Sequence, residues 1–289
     1  MRRSLLATLV VALAALPAPA KRIAAPPNPV VRALQADAVV VGKVTAIEKE
    51  AVELPAFPGS PVMVAHKVAV IKIDKGLTGA DNLTHIKVGF IAPADPTRPG
   101  LPRRGFGAVA PTLDMEGVFF LSKHPSGQFY AIAPLAPPVE TTEENYKQTV
   151  EFVTKALACA ADPTKALAAA KVEDRTFAAV VILTQYRTVK PGSEEVTTEK
   201  VSVADSRRVL NALAEGDWSK VTADAPPAVG AFYALGLTPD HKWVAPKPVV
   251  AQPGQPATNY NAQLQKAFAE WLDGPGKDYQ IEKFVQKRK

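Results

Sequence analysis

Five short β-strand patterns between residues 36 and 134 constrain the fold most strongly. The first, ADAVVVGKVTAIEKE, is rich in β-branched residues and carries Gly42, a residue that marks a bend or bulge inside a strand. The second, PVMVAHKVAVIKIDKG, places four valines on one parity: Val62, Val64, Val68 and Val70. Such alternation predicts a strand with one apolar face. The segment LPAFPGSP between these two patterns has the composition of a hairpin connection.

Three further strand patterns follow, THIKVGFI, GVFFLSK and GQFYAIA. In the first of them Ile86, Val88 and Phe90 are predicted to face one way, with His85 and Lys87 facing the other. The last two patterns are joined by HPSG, a tight turn in which Gly127 can take a positive φ. Five strands with a long connection between the third and fourth match the count of a five-stranded Greek-key barrel. A small β-sandwich fits the same periodicity and stays open as an alternative.

The strand patterns also carry a family resemblance over residues 36–134. The first element is a D-x-V-V-x-G-x-V strand, formed by Asp37, Val39, Val40, Gly42 and Val44. The second is a strand that ends in lysine-glycine, Lys75 and Gly76. The third is a late apolar and aromatic hairpin with Phe119, Phe120, Leu121 and Tyr130. In these features the region resembles exported bacterial domains related to the netrin and tissue-inhibitor-of-metalloproteinase (TIMP-like) barrel, an OB-fold. The animal inhibitors act through a cysteine-tethered N-terminus, and this region has no cysteine. The resemblance therefore implies an OB-like binding barrel but no protease inhibition.

The second half of the chain has helical periodicity. TEENYKQTVEFVTKALACA is predicted to be a helix capped by Thr142, and PTKALAAAK a helix that starts at Pro163. EDRTFAAVVILTQYRT reads as a helix, with a strand as the alternative because of its β-branched run. VADSRRVLNALAEGDW is predicted to be capped by Asp205 or Ser206 and to end near Gly216. NYNAQLQKAFAEWLDG is the last long helix, followed by a tail that is either a strand or extended.

These patterns predict an α+β protein in which an N-terminal five-stranded OB-like β-barrel is followed by an all-α helical domain. We expect a signal peptide over residues 1–20, a proline-rich leader with a short helix over 21–35, the barrel over 36–138 and the helical domain over 139–289. The chain has one cysteine, Cys159, so no internal disulfide is available and each domain needs its own apolar core.

The N-terminus, MRRSLLATLVVALAALPAPA, indicates the compartment. Arg2 and Arg3, an apolar run to Leu16 and the small residues before Lys21 have the pattern of a secretory signal peptide. The alternative is a transmembrane anchor, but the run is shorter than the roughly 20 residues that span a bilayer. We therefore expect a secreted or periplasmic protein with no membrane span after cleavage.

The basic charge is spread rather than clustered. Residues 21–138 carry 13 Lys and Arg against 9 Asp and Glu, and residues 139–289 carry 19 of each. Nucleic-acid binders usually concentrate Lys and Arg in a stripe, so a nucleic-acid partner is not expected. An anionic envelope glycan or an unknown protein is the expected partner.

No catalytic or metal-binding pattern stands out, so we predict no catalytic residue, metal or cofactor. The histidines, His66, His85, His124 and His241, have no metal-ligand spacing, although His66 and His85 could meet across strands. Ser60, Ser126 and Ser193 lie in turn sequences without a nucleophile motif. The acidic pairs Glu48 with Glu50 and Glu143 with Glu144 lie in polar surroundings, and Cys159 reads as a small buried residue.

The long connection from Ala92 to Glu116 is the one segment with a binding character. It carries three arginines and an aromatic residue, which we predict to be ligand-binding: Arg98, Arg103, Arg104 and Phe106. A flexible solvated insertion is the alternative. The chain is therefore interpreted as an exported binding or interaction protein rather than an enzyme. The alternatives are a hydrolase whose site assembles at the barrel–helix junction and a structural spacer or oligomerisation protein.

Overall fold

A computed structural model describes residues 27–55, 61–91, 110–132, 136–190, 195–219, 226–248 and 259–287. Within these ranges the chain is an α+β protein with a closed five-stranded β-barrel and seven α-helices. None of the helices in these ranges is both long enough and apolar enough to cross a membrane. The predicted signal peptide, residues 1–20, lies outside the described residues and stays a prediction.

The large sheet contains seven strands. Their bounds are β1 (Ala38–Ile47), β2 (Val52–Pro55), β3 (Met63–Thr78), β4 (His85–Ile91), β5 (Glu116–Lys123), β6 (Tyr130–Ile132) and β7 (Val139–Glu140). Five of them form a ring in the order β1–β3–β4–β6–β5, which the pairing of β1 with β5 closes. The β4–β6 pairing is parallel, and the others are antiparallel. β2 extends the sheet beside β3, so part of the predicted hairpin connection is in fact strand.

Gly42 is where β1 passes closest to β3. The register between the two strands shifts at Val41/Gly42, as the sequence predicts for a glycine inside this strand. A Cβ atom at position 42 would lie 2.3 Å from the carbonyl oxygen of Lys72. Only glycine leaves room for this close approach, which lets the sheet curl.

The barrel interior is lined by one face of each long strand. Its buried residues include Val40 and Val44 from β1, Ala69 and Ile71 from β3, and Phe119 from β5. Ile86 and Val88 of β4 also point inward while His85 and Lys87 are exposed, which confirms the predicted faces of that strand. The β5–β6 turn is formed as expected, with Gly127 at φ +74°.

In β3 the main apolar face is not the one that carries the four valines. Val68 has the parity of the four valines, and it packs outside the barrel against Leu54 and Phe129. Ala69 and Ile71, on the other parity, fill the barrel interior. The outer face is apolar because β2 and the β5–β6 turn cover it locally.

The helices are α1 (Pro29–Gln35), α2 (Tyr146–Ala161), α3 (Pro163–Leu167), α4 (Val172–Tyr186), α5 (Val203–Glu215), α6 (Ala228–Ala234) and α7 (Tyr260–Asp273). α4 is a helix throughout, so the strand alternative is wrong. Its residues from Ala178 to Leu183 are all buried. Because neighbours cover α4 on every side, its β-branched residues pack well as a helix and the weak local propensity is overridden.

Two predicted helix caps are wrong. α2 begins after Asn145 rather than Thr142, because residues 141–145 form turns in which the Glu143 side chain accepts a hydrogen bond from the Glu140 N–H. The N-cap of α5 is Ser202, whose Oγ accepts from the Asp205 N–H at 3.1 Å. Gly216 is the C-cap of α5, as predicted.

The part of the chain from α2 onward, residues 146–287 (the helical part), is not all-α. The segment between α4 and α5, for which the sequence predicts no helix or strand, contains β8 (Glu195–Lys200), which pairs antiparallel with β9 (Glu282–Lys287) from the tail. The prediction missed β8 because its residues are polar and exposed on both faces. It also missed α6 and the 3₁₀ turn at Pro239–His241.

Aromatic rings form the centre of the helical part. Phe268 is fully buried, with ring centroids 5.6 Å from Trp218, 5.3 Å from Phe232 and 5.8 Å from Trp271. Trp243 adds an edge contact to Phe232 at 5.3 Å. These residues come from distant places in the sequence, so the cluster fixes how the helices pack.

A second apolar cluster joins the barrel to the helices. The outward faces of β1 and β5 supply Val39 and Phe120, and α1 and α2 supply Ala33 and Val153. Arg32 of α1 is also buried here, donates to the Pro137 carbonyl oxygen and lies over the Phe120 ring at 4.9 Å. Burial lowers the pKa of Arg32, and the negative charge of the nearby Glu143 raises it by a smaller amount.

Candidate ligand-binding groove on the barrel

An open groove of about 490 Å³ runs along the barrel where β4 and β6 pair. We call it the basic groove; its lining residues are Leu83, His85, Ile86, Lys87, Lys123, Gly127, Gln128, Phe129 and Tyr130. β4 and the turn before it supply one wall, and the β5–β6 hairpin supplies the other. The pairing between them covers only Val88 with Tyr130 and Gly89 with Ala131, and the groove opens beside this short ladder.

Two lysines give the groove its charge. Lys87 is exposed and pairs with Glu48 at 2.8 Å, which partly neutralises it. Lys123, also exposed, makes no ion pair with any residue that the structure describes. Among the described residues that line the groove, none carries a carboxylate. An anionic group entering it therefore meets one unpaired ammonium group and a second that can be shared.

Phe129 forms an apolar floor beside these lysines. The residue is 5% exposed, and its ring lies directly over Gly89. A Cβ atom at position 89 would fall 2.0 Å from the ring, so glycine is required for the ring to occupy this place. The ring is therefore held as the packed floor of the groove, and the two lysines are the groups that an entering ligand meets.

Two histidines, His66 and His124, also contact the Phe129 ring. The His66 ring lies 5.7 Å from Phe129 and 5.4 Å from His124, and His124 lies 4.8 Å from Phe129. The sequence left open a contact between His66 and His85 across neighbouring strands. His85 instead contacts Thr84 in the basic groove, with Nδ1 3.1 Å from the threonine Oγ1. The His66–His124 contact depends on the β3 register together with the hairpin turn, which no local sequence spacing reveals.

Hydrogen bonds fix the protonation of both rings. The His66 Nδ1 lies 2.9 Å from the Val64 carbonyl oxygen, so this nitrogen carries the proton and donates. The His124 Nδ1 accepts from the Ser126 N–H at 3.2 Å and lies 3.0 Å from the Ser126 Oγ. His124 is therefore neutral with its proton on Nε2. A metal ion would have to displace that proton and reverse the tautomer.

Burial lowers the pKa of His124 below its usual value, and the charge of a protonated His66 would lower it further. Protonation would also place a hydrogen on Nδ1, where the Ser126 N–H now donates. The neutral ring thus helps to hold the turn whose residues Gly127 and Gln128 line the basic groove.

The residues predicted to bind ligand cannot be placed in this geometry. Arg98, Arg103, Arg104 and Phe106 all lie outside the described residues, and their role stays a prediction. Ile91, the last described residue before position 110, pairs with His66 in the β3–β4 ladder, at the opposite end of β4 from His85.

The other residues examined in the sequence have structural surroundings. Cys159 is buried between α1, α2 and α4, and its burial raises the pKa of the thiol. Ser126 serves the hairpin turn, whereas Ser60 and Ser193 lie outside the described residues. Glu48 pairs with Lys87 and Glu143 accepts a backbone N–H, while Glu50 and Glu144 are in turns or bends.

The described ranges contain no group of three or more His, Cys, Asp or Glu side chains that could hold a metal ion. The junction where a hydrolase site was considered is occupied by the apolar cluster and Arg32. Comparison with protein-family models, with curated proteins and with solved structures finds no match. The basic groove therefore rests on its own geometry, which suits non-covalent binding of an anionic ligand.

Proposed function

We propose that this chain is an exported binding protein whose OB-like barrel captures an anionic envelope glycan in the basic groove. The observation that carries the proposal is the presence of two exposed lysines, Lys87 and Lys123, in one open groove, where Lys123 has no ion-pair partner among the described residues. A spread of cationic charge on residues 21–138 adds a general attraction for polyanions.

The closed ring of five strands supports the OB-like assignment, since barrels of this class are five-stranded and bind ligands on a sheet face and adjoining loops. The resemblance to the netrin and TIMP-like domains supports the same assignment. The described part of the barrel contains no cysteine, so the proposal is binding and excludes the cysteine-tethered mode of protease inhibition.

Export is part of the proposal, because an envelope glycan is met only outside the cytoplasm. The pattern of residues 1–20 supports it. Expressing the full chain in a bacterium and sequencing the N-terminus of the periplasmic product tests it. We expect the product to start near Lys21, and an uncleaved cytoplasmic product would contradict export.

Calorimetric titration with a polygalacturonate oligomer tests the groove, with neutral dextran as the ligand control. We expect binding of the acidic oligomer alone. Lys123→Gln should weaken it about threefold to fivefold, the range for one exposed charge pair. Lys49→Gln is the matched control, because Lys49 is an exposed barrel lysine outside the groove. Equal binding of dextran would contradict recognition of an acidic ligand.

The predicted loop is tested in the same titration. If the double variant Arg103→Ala, Arg104→Ala abolishes binding while Lys123→Gln matches the Lys49→Gln control, the ligand binds at the loop and the groove assignment is wrong. A loss in Lys123→Gln alone supports the groove.

A further inference from the structure

A second pocket, of about 410 Å³, lies in the helical part, far along the chain from the barrel. The end of α4, β8, the segment after α6, the 3₁₀ turn and the segment before β9 meet there. Four charged side chains line it: Arg187, Lys200, Asp278 and Glu282. We call it the mixed-charge pocket.

The four side chains are not locked in ion pairs in the described part of the chain, although Lys200 and Glu282 lie opposite each other in the β8–β9 ladder. None of them forms an ion pair with another residue in the described part of the chain. Opposite charges that line one pocket without pairing leave room for a ligand that brings both complementary charges. A purely anionic or purely cationic ligand would face a like charge on one side.

Arg187 is held in place before any ligand arrives. Its Nη2 donates to the Leu235 carbonyl oxygen at 3.0 Å, and its guanidinium carbon lies 5.5 Å from the Phe284 ring centre. The Tyr279 hydroxyl donates to the same carbonyl oxygen at 3.3 Å. Burial raises the pKa of Tyr279, so its hydroxyl stays protonated at neutral pH. An arginine fixed in this way loses little side-chain entropy when it binds a carboxylate.

Apart from Gln280, the uncharged part of the described lining is small, apolar or aromatic. Ala234 and Leu235 line the pocket, and the rings of His241 and Tyr279 contact each other with centroids 5.3 Å apart. This wall can accept an aliphatic side chain. The volume lies in the range of small-molecule sites.

We propose that the mixed-charge pocket binds a free α-amino acid. Its carboxylate is recognised by Arg187 and Lys200, and its ammonium group by Asp278 and Glu282. This site is independent of the basic groove, because the two share no residue.

Calorimetry with three matched probes tests the inference. L-Leucine carries both charges, 4-methylpentanoate keeps only the carboxylate, and 3-methylbutylamine keeps only the amine. We expect L-leucine to bind at least about fivefold more tightly than either single-charge probe, which corresponds to one retained charge pair. Equal binding of 4-methylpentanoate would show a simple anion site and overturn the proposal, as would the absence of heat with all three probes at millimolar concentration.

Two variants locate the binding. Asp278→Asn should reduce the affinity for L-leucine part of the way to that for 4-methylpentanoate, because Glu282 remains. Lys200→Gln should reduce it part of the way to that for 3-methylbutylamine, because Arg187 remains. Both replaced side chains are exposed, so both variants should fold. Lys266→Gln, at an 81% exposed position on α7, is the matched control and should leave binding unchanged. If the control weakens binding as much as Lys200→Gln, the mixed-charge pocket is not the site.

Discussion

The barrel and the helical part of this chain differ in how their cores and their surface charges are arranged. The barrel is a ring closed by backbone pairing, and its core comes from the inward faces of strands between residues 38 and 121. The helical part is centred on aromatic rings from residues 218 to 271. The barrel carries a groove lined by cations, whereas the helical part carries a pocket lined by both signs.

This difference follows the charge of the sequence. Residues 21–138 have four more cationic than anionic side chains (13 against 9), and residues 139–289 have 19 of each. We infer that the two proposed sites select ligands by different means. The basic groove favours polyanions, whereas the mixed-charge pocket favours a ligand with two opposite charges.

The largest expected effect comes from the two cores. Phe268→Ala and Phe119→Ala should each lower the free energy of unfolding by about 3–5 kcal/mol, because each deletes a fully buried ring. Urea denaturation followed by both circular dichroism and tryptophan fluorescence measures the two changes. All three tryptophans lie in the core of the helical part, so fluorescence reports on that part alone.

The same experiment asks whether the two parts unfold together. We expect Phe119→Ala to shift the fluorescence transition as well, because Val39, Phe120 and Val153 form a continuous apolar junction. A transition that moves only with Phe268→Ala would mean that the barrel unfolds independently. Phe268→Leu, which keeps most of the volume, should cost less than Phe268→Ala.

A smaller effect is expected at the floor of the basic groove. Gly89→Val should lower the free energy of unfolding by about 2–3 kcal/mol, because the new side chain overlaps the Phe129 ring. Gly127→Ala is the control: nothing lies within 4 Å of its Cβ, and only the positive φ of 74° opposes it, at about 1–2 kcal/mol. A fully stable Gly89→Val protein would show that the ring does not lie over this strand.

The smallest effect is the pH dependence from His124. Its pKa is lowered in the folded protein, so the unfolded chain binds more protons as the pH falls through the usual histidine value of about 6.5. The contribution of His124 to the free energy of unfolding is fully present above pH 6.5, and it is lost as the pH falls from there through the lowered pKa of the folded protein. Denaturation midpoints at pH 7.5 and 5.5 measure the loss, and His124→Gln should reduce it. An identical pH slope in the variant would contradict the assignment.

The sequence predicts those elements whose signals are local. The alternation of β4, the glycine in the β5–β6 turn and the Gly42 register shift all follow from residues within a few positions of each other. Residues 92–109, which carry the arginines of the predicted loop, lie outside the described residues, so that part of the predicted site is untested.

The remaining features depend on contacts between distant residues. The strand β8 is polar and exposed, and it exists because residues 282–287 pair with it. The face of β3 that fills the barrel is decided by how β2 and Phe129 cover the other face. Lys87 and Lys123 line one groove only because β4 pairs in parallel with β6 of the β5–β6 hairpin. No spacing in the sequence encodes these pairings directly.

Chemical-shift mapping tests the central claim, that the barrel binds through the basic groove. Addition of a polygalacturonate oligomer to ¹⁵N-labelled protein should shift the backbone amide signals of residues 83–87 and 123–130. Those of the helical part should stay unchanged. Shifts confined to residues 92–109, or to the helical part, would contradict the claim.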